Sequence, residues 1–131
     1  MEWGYNKKMV FTTWGREQTA LLIGSDVTNK QISYYAVGTG SATEDNSNKT
    51  LNSEWTRFSM TESPDFTEGR KVTFTGDLNS VQASGLSLTE FGLFASGSAS
   101  TGSCFSREQI TGSVVCDGTI ELKFETAIEV I

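Results

Sequence analysis

The 131-residue chain carries 16 acidic and 10 basic side chains, no histidine, a net charge of −6 and a pI near 4.6. That balance argues against nucleic acid and anionic membranes as partners, because both are bound through basic surfaces. The missing imidazole removes Ser-His-Asp and Cys-His mechanisms, His-ligated zinc and His proton shuttles together.

Residues 1–11 mix aromatic and charged side chains (Trp3, Tyr5, Lys7, Lys8, Phe11) without periodicity. They read as an N-terminal arm ahead of one domain, 12–131, and as residues suited to docking on a neighbouring subunit. The arm has no apolar h-region and no small-residue cleavage site, so a cytosolic product is expected. Residues 12–24 form the expected helix, with a Thr at its start and Gly24 at its stop. Its apolar face is read as Trp14, Ala20, Leu21 and Leu22, while Gly15 and Thr19 weaken it.

Strands follow at turn-punctuated intervals. Gln31 to Val37 runs into Gly38-Thr39-Gly40, and 41–52 is a polar connection that reads as a surface excursion or a partner-binding loop. Trp55 to Thr61 is a strand, 62–65 a turn, and Arg70 to Gly76 a strand with Val72 and Phe74 inward. In the strand Leu86 to Ala95, Gly92 marks a bulge or a close backbone approach. A flexible tip at 97–103 leads to a short strand, Cys104 to Ile110. The last segment alternates most cleanly: Ile120, Leu122, Phe124, Ile128 and Val130 on one face, Glu121, Lys123, Glu125 and Glu129 on the other. The expected class is all-β: an antiparallel β-sandwich (jelly-roll or Ig-like) or a small barrel, with one short N-terminal helix.

Candidate chemistry is sparse. Carboxylate pairs such as Glu44/Asp45 or Glu54/Glu62 would serve glycoside hydrolysis only if held about 5–10 Å apart across a cleft; solvated surface charge is the simpler reading. Tyr35-Ala36-Val37-Gly38-Thr39-Gly40 opens like a dinucleotide fingerprint, but Thr43 stands where the third glycine is needed and no helix follows. Asn48-Lys49-Thr50 is a chance glycosylation sequon. Trp3, Tyr5, Trp14, Trp55 and the Tyr34/Tyr35 pair could stack on sugars, though packing is the default for such rings. Cys104 and Cys116 are too few for a disulfide framework or thiolate metal site, and both are expected reduced, with a cross-hairpin disulfide as the alternative. No enzyme activity, cofactor or metal is implied.

Three segments, in order, resemble a family of small β-rich virion proteins of tailed bacteriophages. They are Ile32 to Thr43 with its Gly38-Thr39-Gly40 turn, Leu51-Asn52-Ser53-Glu54-Trp55-Thr56-Arg57, and Leu88-Thr89-Glu90-Phe91-Gly92-Leu93-Phe94. The helix and the final alternating strand are similar too. The resemblance implies a non-enzymatic structural protein of the virion, assembled in the host bacterial cytoplasm. The leading expectation is a capsid decoration (cement) protein on the outer head surface, partnered by the major capsid protein and homo-oligomeric, with a trimer foreseen. The alternative is a tail, baseplate or fibre-attachment subunit; a carbohydrate-binding module is more remote. The motif residues are Gly38, Gly40, Leu51, Glu90, Gly92, Leu93 and Phe94. Glu54 and Arg57, three apart, are expected to pair locally on a helical turn or across a subunit interface. Glu90, a lone charge in an apolar strand, needs a counter-ion, and Arg57 is the candidate.

Overall fold

A computed structural model describes residues 2–5, 10–24, 31–67, 69, 71–98 and 102–129, with only the backbone path at 2–5 and 10. Lys7 and Lys8 lie outside the described residues, as do the side chains of Trp3 and Tyr5. The elements in chain order are β1 (Glu2–Tyr5), β2 (Val10–Phe11), α1 (Thr13–Ile23), β3 (Tyr34–Gly38) and β4 (Glu54–Ser59). Then come β5 (Lys71–Leu78), α2 (Ser80–Ala83), β6 (Ser87–Phe94), β7 (Cys104–Val115) and β8 (Glu121–Glu129). The chain is all-β, as its alternation and turn chemistry require. Its strands form two open sheets, β1-β8-β5 and β2-β7-β6-β3-β4, antiparallel except where β1 runs parallel to β8. Among the described residues, neither sheet closes on itself.

Two compact units result. One holds β1, β5, α2 and β8; the other holds β2, α1, β3, β4, β6 and most of β7. In the first, β8 alternates through its first six residues: Leu122, Phe124 and Thr126 are buried while Glu121, Lys123 and Glu125 are exposed. Ile120 and Ile128 are half-buried, and Val130 lies outside the described residues. β5 pairs along its whole length with β8, from Lys71 opposite Glu129 to Leu78 opposite Leu122. The stretch between β5 and β6, which carried no expected element, holds α2. Its start is a capping box: Asn79 accepts from the Gln82 amide, and the Gln82 side chain accepts from the Asn79 amide. The N-x-x-Q spacing was its sequence signal. The first four described residues, Glu2–Tyr5, are strand too, since backbone pairing with β8 supplies what side-chain periodicity did not.

In the second unit, β3 is the middle of a three-strand core, flanked by β6 and β4. Both its faces are buried, Tyr35 and Val37 on one, Ala36 on the other. The helix begins and ends as its caps foretold. Thr12 accepts from the Gly15 amide, and the Gly24 amide donates to the Ala20 carbonyl. Its apolar face is corrected, however. Leu21 is 44% and Ile23 83% exposed, and the only fully buried helical residue is Gly15. The docking contact is the first turn, where Trp14 meets Phe105 edge-on at 5.1 Å. β7 is longer than expected, running on to Val115 with Gly112 at φ 77 inside the strand. Cys104 opens β7 and Cys116 follows its last residue, both buried and not joined by a disulfide.

Candidate functional site

The second unit brings the three motif-bearing segments together around one carboxylate. Glu90 on β6 is fully buried. Its Oε2 accepts from Arg107 Nη2 at 2.6 Å, from Arg107 Nε at 3.0 Å and from the Asn52 amide at 3.1 Å. Its Oε1 accepts from the Ser53 amide at 2.7 Å. Four donors around one ion are what burial demands, since a carboxylate removed from water must recover its hydration from fixed groups. The counter-ion is therefore Arg107 and not Arg57. Arg107 is 1% exposed and spends its remaining donors on the 41–52 connection, Nη2 on the Ala42 carbonyl at 2.7 Å and Nη1 on Asn48 Oδ1 at 3.2 Å.

The same carboxylate explains the Gly-x-Gly turn. A Cβ at Gly40 would lie 2.8 Å from Glu90 Oε1 and 2.7 Å from Asn52 Oδ1. One at Gly38 would lie 2.7 Å from Glu90 Oε1 and would strike the Ser53 carbonyl. Both glycines are absent-side-chain positions that admit the ion, and Thr89 Oγ1 ties the turn down by donating to the Gly40 carbonyl at 2.7 Å. At Gly92, where a Cβ would lie 2.6 Å from the Ser106 carbonyl, the close backbone approach expected from sequence is present. Leu51 packs beside it, in a cluster with Ala36, Phe94 and Cys104. Leu93 is fully buried.

A second ion pair lies on the same sheet face. Glu54, Gly38 and Glu90 form one cross-strand row, and Arg57, Ala36 and Gly92 the next. In a regular strand, residues three apart point to opposite faces. Here Val37 pairs with Thr56 but Gly38 pairs with Glu54, so Trp55 is an extra residue, a bulge. The bulge changes the parity and brings Glu54 to the Arg57 side. Arg57 Nη2 meets Glu54 Oε1 at 2.6 Å, with side-chain exposures of 1% and 4%. Arg57 also donates to the Ser96 carbonyl and lies 3.9 Å above the Phe94 ring. The pair is thus made within the chain, on a strand and not on a helical turn.

The remaining candidates are dispersed. The backbones of Trp3 and Tyr5 stand opposite Leu122 and Phe124 in β1–β8. Phe11 is half-buried, its ring 6.1 Å from Phe105. Tyr35 is buried and stacks on Phe58, so it presents no platform, whereas Trp55 is 41% exposed. Glu44 accepts from the Gln109 amide. Asp45 accepts from the Ser47 amide and hydroxyl, which hold its carboxyl below the usual range. The 41–52 connection is accordingly pinned to β6 and β7 on its inner side while Asp45, Asn46 and Lys49 remain exposed. Among the described residues, no group of three or more acidic or Cys side chains could hold a metal ion.

Arg107 and the Asn52–Ser53 amides are the site members that sequence reasoning missed. A signal existed for Arg107: it follows Cys104 and Phe105 in a strand, a second lone charge needing a partner as much as Glu90 did. Comparison of the chain with protein families, characterised proteins and solved structures gives no match.

Proposed function

We propose that this chain is a non-enzymatic structural protein of a tailed-phage virion, acting as a capsid decoration subunit that binds the outer head surface as a homo-oligomer. One observation carries the reading. The three segments that resemble the virion family meet at Glu90, and there Glu90 and Arg107 are committed to each other and to the chain's own backbone and Asn48 side chain. Residues fixed in that way support an architectural motif. A reacting carboxylate must be reachable by substrate, and Glu90 is 0% exposed.

Fractionation of a tailed phage that encodes the chain tests this directly. Tailless heads should carry it in high copy number, measured by quantitative mass spectrometry. Its confinement to purified tails would replace the head assignment with a tail, baseplate or fibre-attachment role, and absence from particles would remove both. A carbohydrate-binding module is the second reading, favoured only by the exposed ring of Trp55. A glycan array without binding above background would eliminate it.

A further inference from the structure

The strands that end each sheet share a property that bears on how this protein can meet any neighbour. A terminal strand exposes a row of backbone donors and acceptors, and proteins blunt that row by shortening, bulging, covering or turning charges inward. β4 ends the five-stranded sheet and combines two of these devices: the Trp55 bulge and the inward Glu54–Arg57 pair. At the other end, β2 has two residues. Beyond β2, the outward groups of β7 are taken by the Lys49 carbonyl on the Cys104 amide, the Thr12 amide on the Phe105 carbonyl, and Glu44 on the Gln109 amide. Gly112, at φ 77, lies inside the remainder of the strand. In the three-stranded sheet β1 has four residues. β5 is covered by the segment before it: Asp65 and Thr73 exchange backbone bonds, Thr61 donates to the Thr75 carbonyl, and Thr61 Oγ1 accepts from the Asp77 amide.

We infer that β4, which ends the five-stranded sheet among the described residues, is closed to strand addition, with the Trp55 bulge and the Glu54–Arg57 pair as its guard. A partner, including a second copy, therefore does not extend the five-stranded sheet at β4. This inference does not depend on the virion assignment: it concerns the mode of contact, whatever the neighbour.

The test uses the purified full chain and two variants, deletion of Trp55, which restores a regular strand, and Glu54→Val/Arg57→Val, which keeps the bulge but removes the inward charges. Sedimentation velocity over a concentration series is read beside amide hydrogen exchange of β4. In the wild type, whatever its assembly state, the β4 amides that point away from β3 should gain no protection as concentration rises. In the deletion variant, a shift to faster sedimentation with concentration is expected, accompanied by new protection in β4; the double substitution should shift in the same direction. Concentration-dependent protection of β4 in the wild type would overturn the inference, because the edge would then be a docking edge. Folded variants that sediment as the wild type does at every concentration would overturn it equally. Should the deletion prevent folding, the wild-type exchange experiment and the double substitution still decide.

Discussion

Gly15 occupies the first turn of α1, where glycine ordinarily costs about 1 kcal/mol relative to alanine. A Cβ there would lie 2.7 Å from the Phe105 carbonyl oxygen and 2.9 Å from its Cα. Packing therefore outweighs propensity: Gly15→Ala should destabilise by ~1–3 kcal/mol in urea denaturation, the overpacking range. Glu90 and Arg107 are coupled more strongly. Removing either partner leaves the other charge buried, so Glu90→Gln and Arg107→Met should each cost roughly 3–5 kcal/mol. Glu90→Gln/Arg107→Met should cost less than the sum of its parts, a double-mutant cycle giving the coupling. Cys104 is a third case. Burial pushes its thiol up to about 12 from an ordinary 9.0. Between those values the unfolded chain releases a proton that the folded chain retains, so stability is intact below 9.0 and falls as pH rises towards 12. Denaturation midpoints of wild type and Cys104→Ala, compared below and within that window, should diverge less as pH rises if the alanine variant starts lower.

At the scale of elements, local chemistry set the ends and distant contacts set the use. Thr12 and Gly24 bound α1 as their residue types dictate, because capping is settled within one turn. Thr12 does more than cap, though: its hydroxyl is fully buried and donates to the Cys104 carbonyl. Thr12→Ala is expected to cost about 2 kcal/mol, the upper end for a cap, read from the unfolding free energy. The bulge at Trp55 was not legible, since Glu54-Trp55-Thr56-Arg57 has no glycine or other local mark of an extra residue. It becomes visible only when β3 fixes the register. β1 and β2 were hidden for a related reason. Four and two residues are too short for a period to declare itself, and their pairing partners lie near the far end of the chain or beyond its middle.

For the molecule as a whole, sequence separation is the governing quantity. The three-stranded sheet places its N-terminal strand and β5 on either side of β8, the last strand of the chain. It cannot form until residues 121–129 are available. A chain ending at Gly118 should lose the exchange protection of β5 amides seen in the full chain, because β8 is the strand that pairs along β5. Sheets dominated by such distant pairings fold slowly, so refolding in the range of about milliseconds to seconds is expected, measurable by stopped-flow Trp fluorescence.

The order of residues alone fixed the β class, the two caps of α1, the in-and-out alternation of β8 and the need of Glu90 for a counter-ion, each a consequence of chemistry within a few neighbouring positions. Only the folded chain decided which cation answers that need. Arg57 sits next to β3 yet turns to Glu54 and the Phe94 ring, while Arg107, 17 positions from Glu90, closes the buried pair. Choosing among counter-ions depends on which strands become neighbours and which face each side chain takes.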